Sequence, residues 1–191
     1  MDRRQRIANA GIALIARGGT HRLTHRAVDA EAGLPNGSTS YYARSRRDLI
    51  RLVMEQLSAE SQADLTNIEV PGKLTVRQAT DLVGRLAERL ILNGDAQAAR
   101  FALMFEVRDD DELRRELTVD APVRRSFDEK AVELLRALGV TDPEKKAPEF
   151  VALVDAVLMY RAVEAAPIDP VGVVETYLTG LLVRQKPTAT R

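Results

Sequence analysis

Apolar residues recur at helical spacing from the N-terminal end of the chain onward, and they predict a protein made of helices. Ile7, Gly11, Leu14 and Ile15 share one face of a helix over residues 3–17, which Gly18-Gly19 stops. Thr24 suits an N-cap, because its hydroxyl can accept from the free amides of a first turn. Ala27, Val28 and Ala32 then form a narrow apolar face, and Gly33 ends that helix where a left-handed residue is needed. Leu34 reads as a plug into the core, and Pro35 as the opening of the next helix. Ser45 and Asp48 form a capping-box-like pair ahead of a fourth helix, about Arg46 to Asn67, whose buried stripe is Leu49, Leu52, Val53 and Leu57.

The pattern continues to the far end. Pro71-Gly72 breaks the chain, a fifth helix runs from about Thr75 to Leu92, and Asn93-Gly94 ends it. A sixth spans about Ala96 to Arg108, closed by Asp109-Asp110-Asp111. Residues 112–138 read as helical with an interruption near Pro122, stopped by Gly139; Asp142-Pro143 starts the next helix. From Phe150 to Ala166 only Asp155, Arg161 and Glu164 carry charge, and apolar residues occur all round. Such a helix is expected to be buried on all sides, between its own core and a second subunit. Asp169-Pro170 caps the last helix, where Val173, Val174, Tyr177, Leu178, Leu181 and Leu182 again give a broad apolar face. Two such helices from each of two chains would form a four-helix bundle, with Phe150, Val154, Val157, Arg161, Tyr177, Leu178 and Leu181 as candidate interface residues. The tail from Gln185 to Arg191 reads as frayed. The expected fold is all-α, about nine helices: a three-helix helix-turn-helix unit over 1–51 and a larger helical regulatory domain over 52–191.

Within that frame, the segment after Gly33 is unusual because it buries almost nothing. It offers Asn36, Gly37, Ser38, Tyr41 and Tyr42, flanked by arginines. A polar helix of small hydroxyls, an amide and tyrosines on a rigid support suits duplex DNA. Charge agrees. The 191-residue chain is formally neutral, yet residues 1–51 hold ten arginines against four acidic residues, and the remainder is correspondingly acidic. A basic end on an acidic body is the pattern for binding an anionic polymer through that end. All the basic residues there are arginine, which suits bidentate contact with phosphate or guanine.

From Leu23 to Leu49 the chain reads Leu-Thr-x-Arg-x-Val-x-x-x-Ala-Gly-Leu-Pro-x-Gly-Ser-x-x-Tyr-Tyr-x-x-Ser-Arg-x-x-Leu. This resembles the DNA-binding signature of TetR-type transcriptional repressors and covers roughly the first quarter of the chain. Caps, turn glycine, recognition-helix glycine and the following basic residue fall in step. The resemblance implies a recognition helix over Pro35 to Tyr42 and a phosphate clamp at Arg46. It places Arg26 on the helix beneath the recognition helix. His25, next to the Thr24 cap, could reach a phosphate, and a plain surface histidine is the other reading; Thr24 joins the candidate DNA-binding residues. One position departs: Ala43 stands where the family usually has an aromatic ring, and Tyr42 is the candidate to fill that space. Ser40 also stands where the family often has Tyr.

The resemblance further implies a homodimer that releases a palindromic operator when a small molecule enters the C-terminal domain. Leu86, Phe101, Met104, Phe105, Phe127 and Met159 are candidate lining residues for such a cavity, although the same spacing also serves a plain core. Catalysis is not expected. Both histidines fall in the first 51 residues, there is no cysteine, and no Gly-rich phosphate loop or metal-spaced ligand cluster occurs. No cofactor or metal is called for. The absence of cysteine, signal peptide and membrane-spanning run suits a cytoplasmic protein. The competing reading is a helical protein-interaction module; it accounts for the apolar helices at 150–182 but not for the polar segment or the charge split.

Overall fold

The computed structural model describes residues 2–185. The expected frayed tail lies almost entirely outside them. Ten α-helices and one short 3-10 turn are present, and no strand occurs among the described residues. The helices are α1 (Arg3–Gly18), α2 (His25–Glu31), α3 (Ser38–Tyr42), α4 (Arg46–Thr66), α5 (Val76–Leu92), α6 (Gly94–Glu106), α7 (Asp111–Leu117), α8 (Pro122–Ala137), α9 (Pro143–Ala162) and α10 (Pro170–Gln185). The all-α class is as expected. The tenth helix arises because residues 112–138 break fully, into α7 and α8.

Local chemistry explains most boundaries. Asp2 caps α1 through a reciprocal capping box with Gln5. Thr24 caps α2 by accepting from the Ala27 amide, and Ser45 and Asp48 exchange bonds at the start of α4, both as expected. Gly33 adopts φ +61° after α2. Two boundaries differ from the sequence reading. Gly94 is the first residue of α6 rather than a terminator of α5. The acidic run does not close α6, which stops at Glu106; Asp110 instead caps α7 by accepting from the Leu113 amide.

The chain forms two compact units that do not follow a single cut in the sequence. The first comprises Met1–Ala63 together with Asn93–Arg124, and the second Asp64–Leu92 together with Arg125–Arg191. A cut at residue 51 would therefore separate α6 and α7 from the helices they pack on. Ile7, Ile15, Leu23, Val28, Leu49, Val53 and Leu103 are fully enclosed in the first unit's core, where α1 lies against α2 and α6. The α1–α4 approach is close enough that a Cβ at Gly11 would lie 2.5 Å from Val53 Cγ2. The second unit is built on α5, α8, α9 and α10 around Ala79, Leu135, Ala147, Phe150 and Leu178.

Candidate nucleic-acid interface and regulatory pocket

The reading head is shorter than the sequence implied. Pro35 does not open a helix: Pro35, Asn36 and Gly37 form a turn in which the Ser38 amide and hydroxyl both donate to the Pro35 carbonyl. Gly37 holds φ +89° immediately before α3, a conformation that glycine adopts without steric penalty. Asn36 and Gly37 are exposed, Ser38 is half-buried, and Tyr41 is 84% exposed. The Tyr41 and Tyr42 rings meet edge to face at 5.1 Å. Tyr42 is 36% exposed, so most of its ring surface is covered, and the Ala43 methyl is enclosed.

The seating of α3 comes from polar groups that sequence reasoning passed over. Asp29, on α2, is 1% exposed. Its carboxylate accepts from the Gly37 amide (2.7 Å), the Thr39 amide (2.7 Å) and the Thr39 hydroxyl (2.6 Å). Burial pushes its pKa up, but the Thr39 and Gly37 donors outweigh that and hold the carboxyl below its ordinary value. At the other end, His25 Nε2 lies 2.8 Å from the Ala43 carbonyl. His25 thus ties α2 to the C-cap of α3, and that ring nitrogen is not offered to a phosphate. Asp29 had entered the sequence reading only as a negative charge. Its signal was an acidic residue inside a helix whose neighbours are apolar.

Arg46 is equally committed. Its guanidinium donates to the Leu23 carbonyl (2.7 Å), the Thr20 carbonyl (3.0 Å) and Glu106 Oε1 (2.8 Å). Thr20 also donates its hydroxyl to Glu106, and these donors hold the Glu106 carboxyl below its ordinary value. Arg47 binds Asp110 through two nitrogens and reaches Glu112, and Arg51 grips Glu116 in the same two-pronged way and also reaches Glu112. Three of the ten arginines that made the N-terminal segment basic are therefore neutralised from α6 and α7. Arg3, Arg22, Arg26 and Arg44 are exposed and have no ion pair among the described residues. The guanidinium to which the motif assigns a phosphate is held by the protein's own acceptors in this conformation.

A pocket of about 590 Å³, counting its open mouth, lies within the second unit. Leu65, Ile68 and Val70 line one part; Leu82, Val83, Leu86, Phe127, Ala131, Leu134, Phe150, Val151, Val154 and Leu158 line the rest, with Lys130 and Asp155 as the charged residues. Of the expected lining residues, Leu86 and Phe127 are present. Met159 is replaced by its neighbour Leu158. Phe101, Met104 and Phe105 belong to the first unit: Phe101 is buried under the Arg100 guanidinium, while Met104 and Phe105 are exposed.

The candidate dimer residues also divide. Phe150, Val157 and Leu178 are closed within their own unit, and Val154, Tyr177 and Leu181 are partly covered by the same core. Phe150 stacks on Tyr177 at 5.8 Å. A side chain already enclosed in one chain has no surface left for another. The face of α9 and α10 that stays open carries Ala156, Tyr160, Arg161, Val171 and Val183, with Val163 just beyond α9. Within a single chain α9 thus keeps one open face, the one that the expected second subunit would cover. Among the described residues no helix is long and apolar enough to cross a membrane, and no cluster of potential metal ligands occurs.

A short exposed helix pinned by hydrogen bonds to the helix before it, across a tight turn, has the arrangement of a helix-turn-helix, and a second helical unit carries a pocket. Residues 74–184 match the family model described as "Tetracyclin repressor-like, C-terminal domain". That is more than half of the chain, which therefore belongs to the TetR family of DNA-binding transcriptional regulators. A TetR-family member from Streptomyces coelicolor A3 is 26% identical, with a TM-score of 0.72 over 95% of this chain and 98% of that one. The multidrug binding protein EbrR complexed with ethidium is 27% identical, with a TM-score of 0.66 over 94% and 98%. A transcriptional regulator from Rhodococcus sp. Rha1, 14% identical, shares the fold at a TM-score of 0.77 over 96% and 97%. No curated protein matches the chain.

Proposed function

We propose that the protein is a homodimeric, ligand-responsive repressor that releases a palindromic operator when an apolar small molecule occupies the pocket of the second unit. The observation that carries this reading is the exposed turn and helix from Asn36 to Tyr42, pinned at both ends and flanked by arginines without internal partners. Asn36, Gly37, Ser38 and Tyr41 would face the major groove, with Tyr42 at the edge. Arg22, Arg26 and Arg44 would supply phosphate contacts, and the Thr24 turn would lie nearby. Two copies would read half-sites roughly 34 Å apart, or a multiple of that. The pairing surface would be the open face of α9 and α10, including Tyr160, Arg161 and Val183, rather than the enclosed Phe150 and Leu178.

The pocket is apolar apart from Lys130 and Asp155, so its ligand would be a largely apolar molecule. EbrR, crystallised with ethidium and with proflavin, supplies a probe of that kind. Because α4 begins beside the recognition helix and its Leu65 lines the pocket, a ligand that binds the DNA-incompetent state better would shift the equilibrium through α4. Coupling of about 1–3 kcal/mol is typical for such linkage. The reading contains no catalytic step and places the protein with DNA in the cytoplasm.

The test is selection from a pool of random duplexes with the purified protein at moderate salt, followed by sequencing. Enrichment of a two-fold symmetric site supports a dimeric reader, and release of that site by ethidium supports ligand control. Salt-sensitive binding without enrichment would refute sequence reading. Absence of any binding would transfer the weight to a helical interaction module.

A further inference from the structure

Resting on the sequence-reading function above, we propose that Asp29 is the positioning residue of the reading head. Its buried carboxylate fixes the angle at which α3 meets DNA.

The first observation is the cost of putting it there. A carboxylate enclosed in protein is unfavourable unless donors replace its water. Asp29 has three such donors, and all of them come from Gly37 and Thr39. Its hydrogen bonds do nothing for α1 or α4. What it organises is the left-handed turn and the first residues of α3.

The second observation is how little else holds α3. A five-residue helix cannot sustain itself. Within α3 only Thr39 is buried, and Thr39 is itself an Asp29 partner. Tyr41 faces outward, Tyr42 is only partly covered, and the C-cap contributes the methyl of Ala43. Two backbone donors and one hydroxyl, all converging on one carboxylate, therefore set the N-terminal end of the reading head. His25 secures the other end through the Ala43 carbonyl. Base readout depends on side chains being held to within a fraction of an ångström. A loosened N-terminal pin would misplace Asn36, Ser38 and Tyr41 together.

The carboxylate also leaves an electrostatic signature. It brings a negative charge to the face that meets a polyanion, so it opposes binding that is purely electrostatic. Removing the charge should weaken binding to the operator while leaving random DNA unchanged or strengthened. General damage to the fold would weaken both.

The experiment uses the full chain with Asp29→Asn and Thr39→Val. In Asp29→Asn, the new side-chain amide would point a donor at the Gly37 N–H, so that bond is lost and replaced by repulsion. Thr39→Val removes only the hydroxyl and keeps both backbone donors, which makes it the milder variant and the fallback if Asp29→Asn does not fold. Two quantities are read: amide hydrogen exchange across residues 36–43, and the ratio of affinities for the selected operator and a random duplex. In Asp29→Asn, exchange at Gly37 and Thr39 should rise roughly tenfold or more with α1 amides unchanged, and the affinity ratio should fall by a similar factor. Thr39→Val should move both in the same direction by less. Unchanged exchange at 37–39 would overturn the anchoring. Equal losses on both DNAs would overturn the positioning role. If the unmodified protein selects no sequence, the regulator reading fails and the specificity half of this proposal fails with it, while the exchange result still decides the anchoring.

Discussion

The division of labour among the arginines gives a prediction that separates the family motif from this chain's own geometry. The motif assigns a phosphate to Arg46, but three protein acceptors already hold that guanidinium. Arg44, two residues earlier and exposed at the junction of α3 and α4, has no ion pair among the described residues. Each phosphate neutralised contributes a slope of about 0.9 to the dependence of log affinity on log salt. Raising salt from about 50 to about 200 mM should then weaken binding by about 3.5-fold for each contact, or about 12-fold for one contact in each half of a dimer site. Arg44→Ala should remove that component and lower the slope by about two per dimer, with thermal stability unchanged. Arg46→Ala should leave the slope nearly intact and cost stability instead. Charge-assisted bonds are worth up to about 3 kcal/mol when buried. With the Arg46 side chain 43% exposed, screening reduces the loss to roughly 1–2 kcal/mol. That is a fall of several degrees in the melting temperature. Fluorescence anisotropy of a labelled operator across a salt series, beside thermal melts of each variant, reads both quantities. A lowered slope in Arg46→Ala with unchanged melting would show that Arg46 leaves Glu106 for the phosphate, and the reasoning would be wrong.

Burial predicts different fates for two charge insertions on the last helix. Leu178→Glu places a carboxylate in the second unit's core and should unfold that unit, whereas Val183→Glu on the open face should give folded monomers; circular dichroism and light scattering distinguish these. Arginine bonding holds the Glu106, Asp110 and Glu112 carboxyls below their ordinary values of 4.5, 3.8 and 4.5. Their contribution to stability is thus fully present above those values and lost as pH falls through the depressed ones. The melting temperature should be flat from about pH 7 to about 5 and drop below about 4.5, and a Glu106→Gln, Asp110→Asn, Glu112→Gln variant should start lower and decline less. Val154→Trp should fill the pocket and abolish ethidium binding by fluorescence titration while leaving operator affinity intact; undiminished ethidium binding would place the ligand elsewhere.

Much of the fold was legible because it depends on local chemistry. Caps such as Thr24 and Ser45, the turn at Gly33 and the stripes of Ile7 to Ile15 and Leu49 to Leu57 are decided within a few residues of themselves. The errors share a physical origin. Periodicity marks Leu178 and Phe150 as apolar but cannot say whether their own chain or another covers them. It likewise grouped Phe101 and Met104 with a pocket that belongs to the other unit. Pro35 carried a helix-start signal, but the left-handed Gly37 two residues later fixed where α3 begins.

The sequence by itself determined that this chain is helical, where most helices start and stop, and that a polar, arginine-flanked segment follows Gly33. Those properties follow from residue spacing and from side chains bonding to nearby backbone. Only the tertiary structure decided what the charges do. Asp29 and Thr39 lie ten residues apart, and Arg46 and Glu106 sixty, and nothing local signals that they meet. Once they meet, an acidic residue becomes the support of the reading head, and arginines that looked available for DNA become struts between α4 and the helices α6 and α7. Charge is a property of the residue; whether it faces an outside partner depends on which other charge the fold brings within about 3 Å.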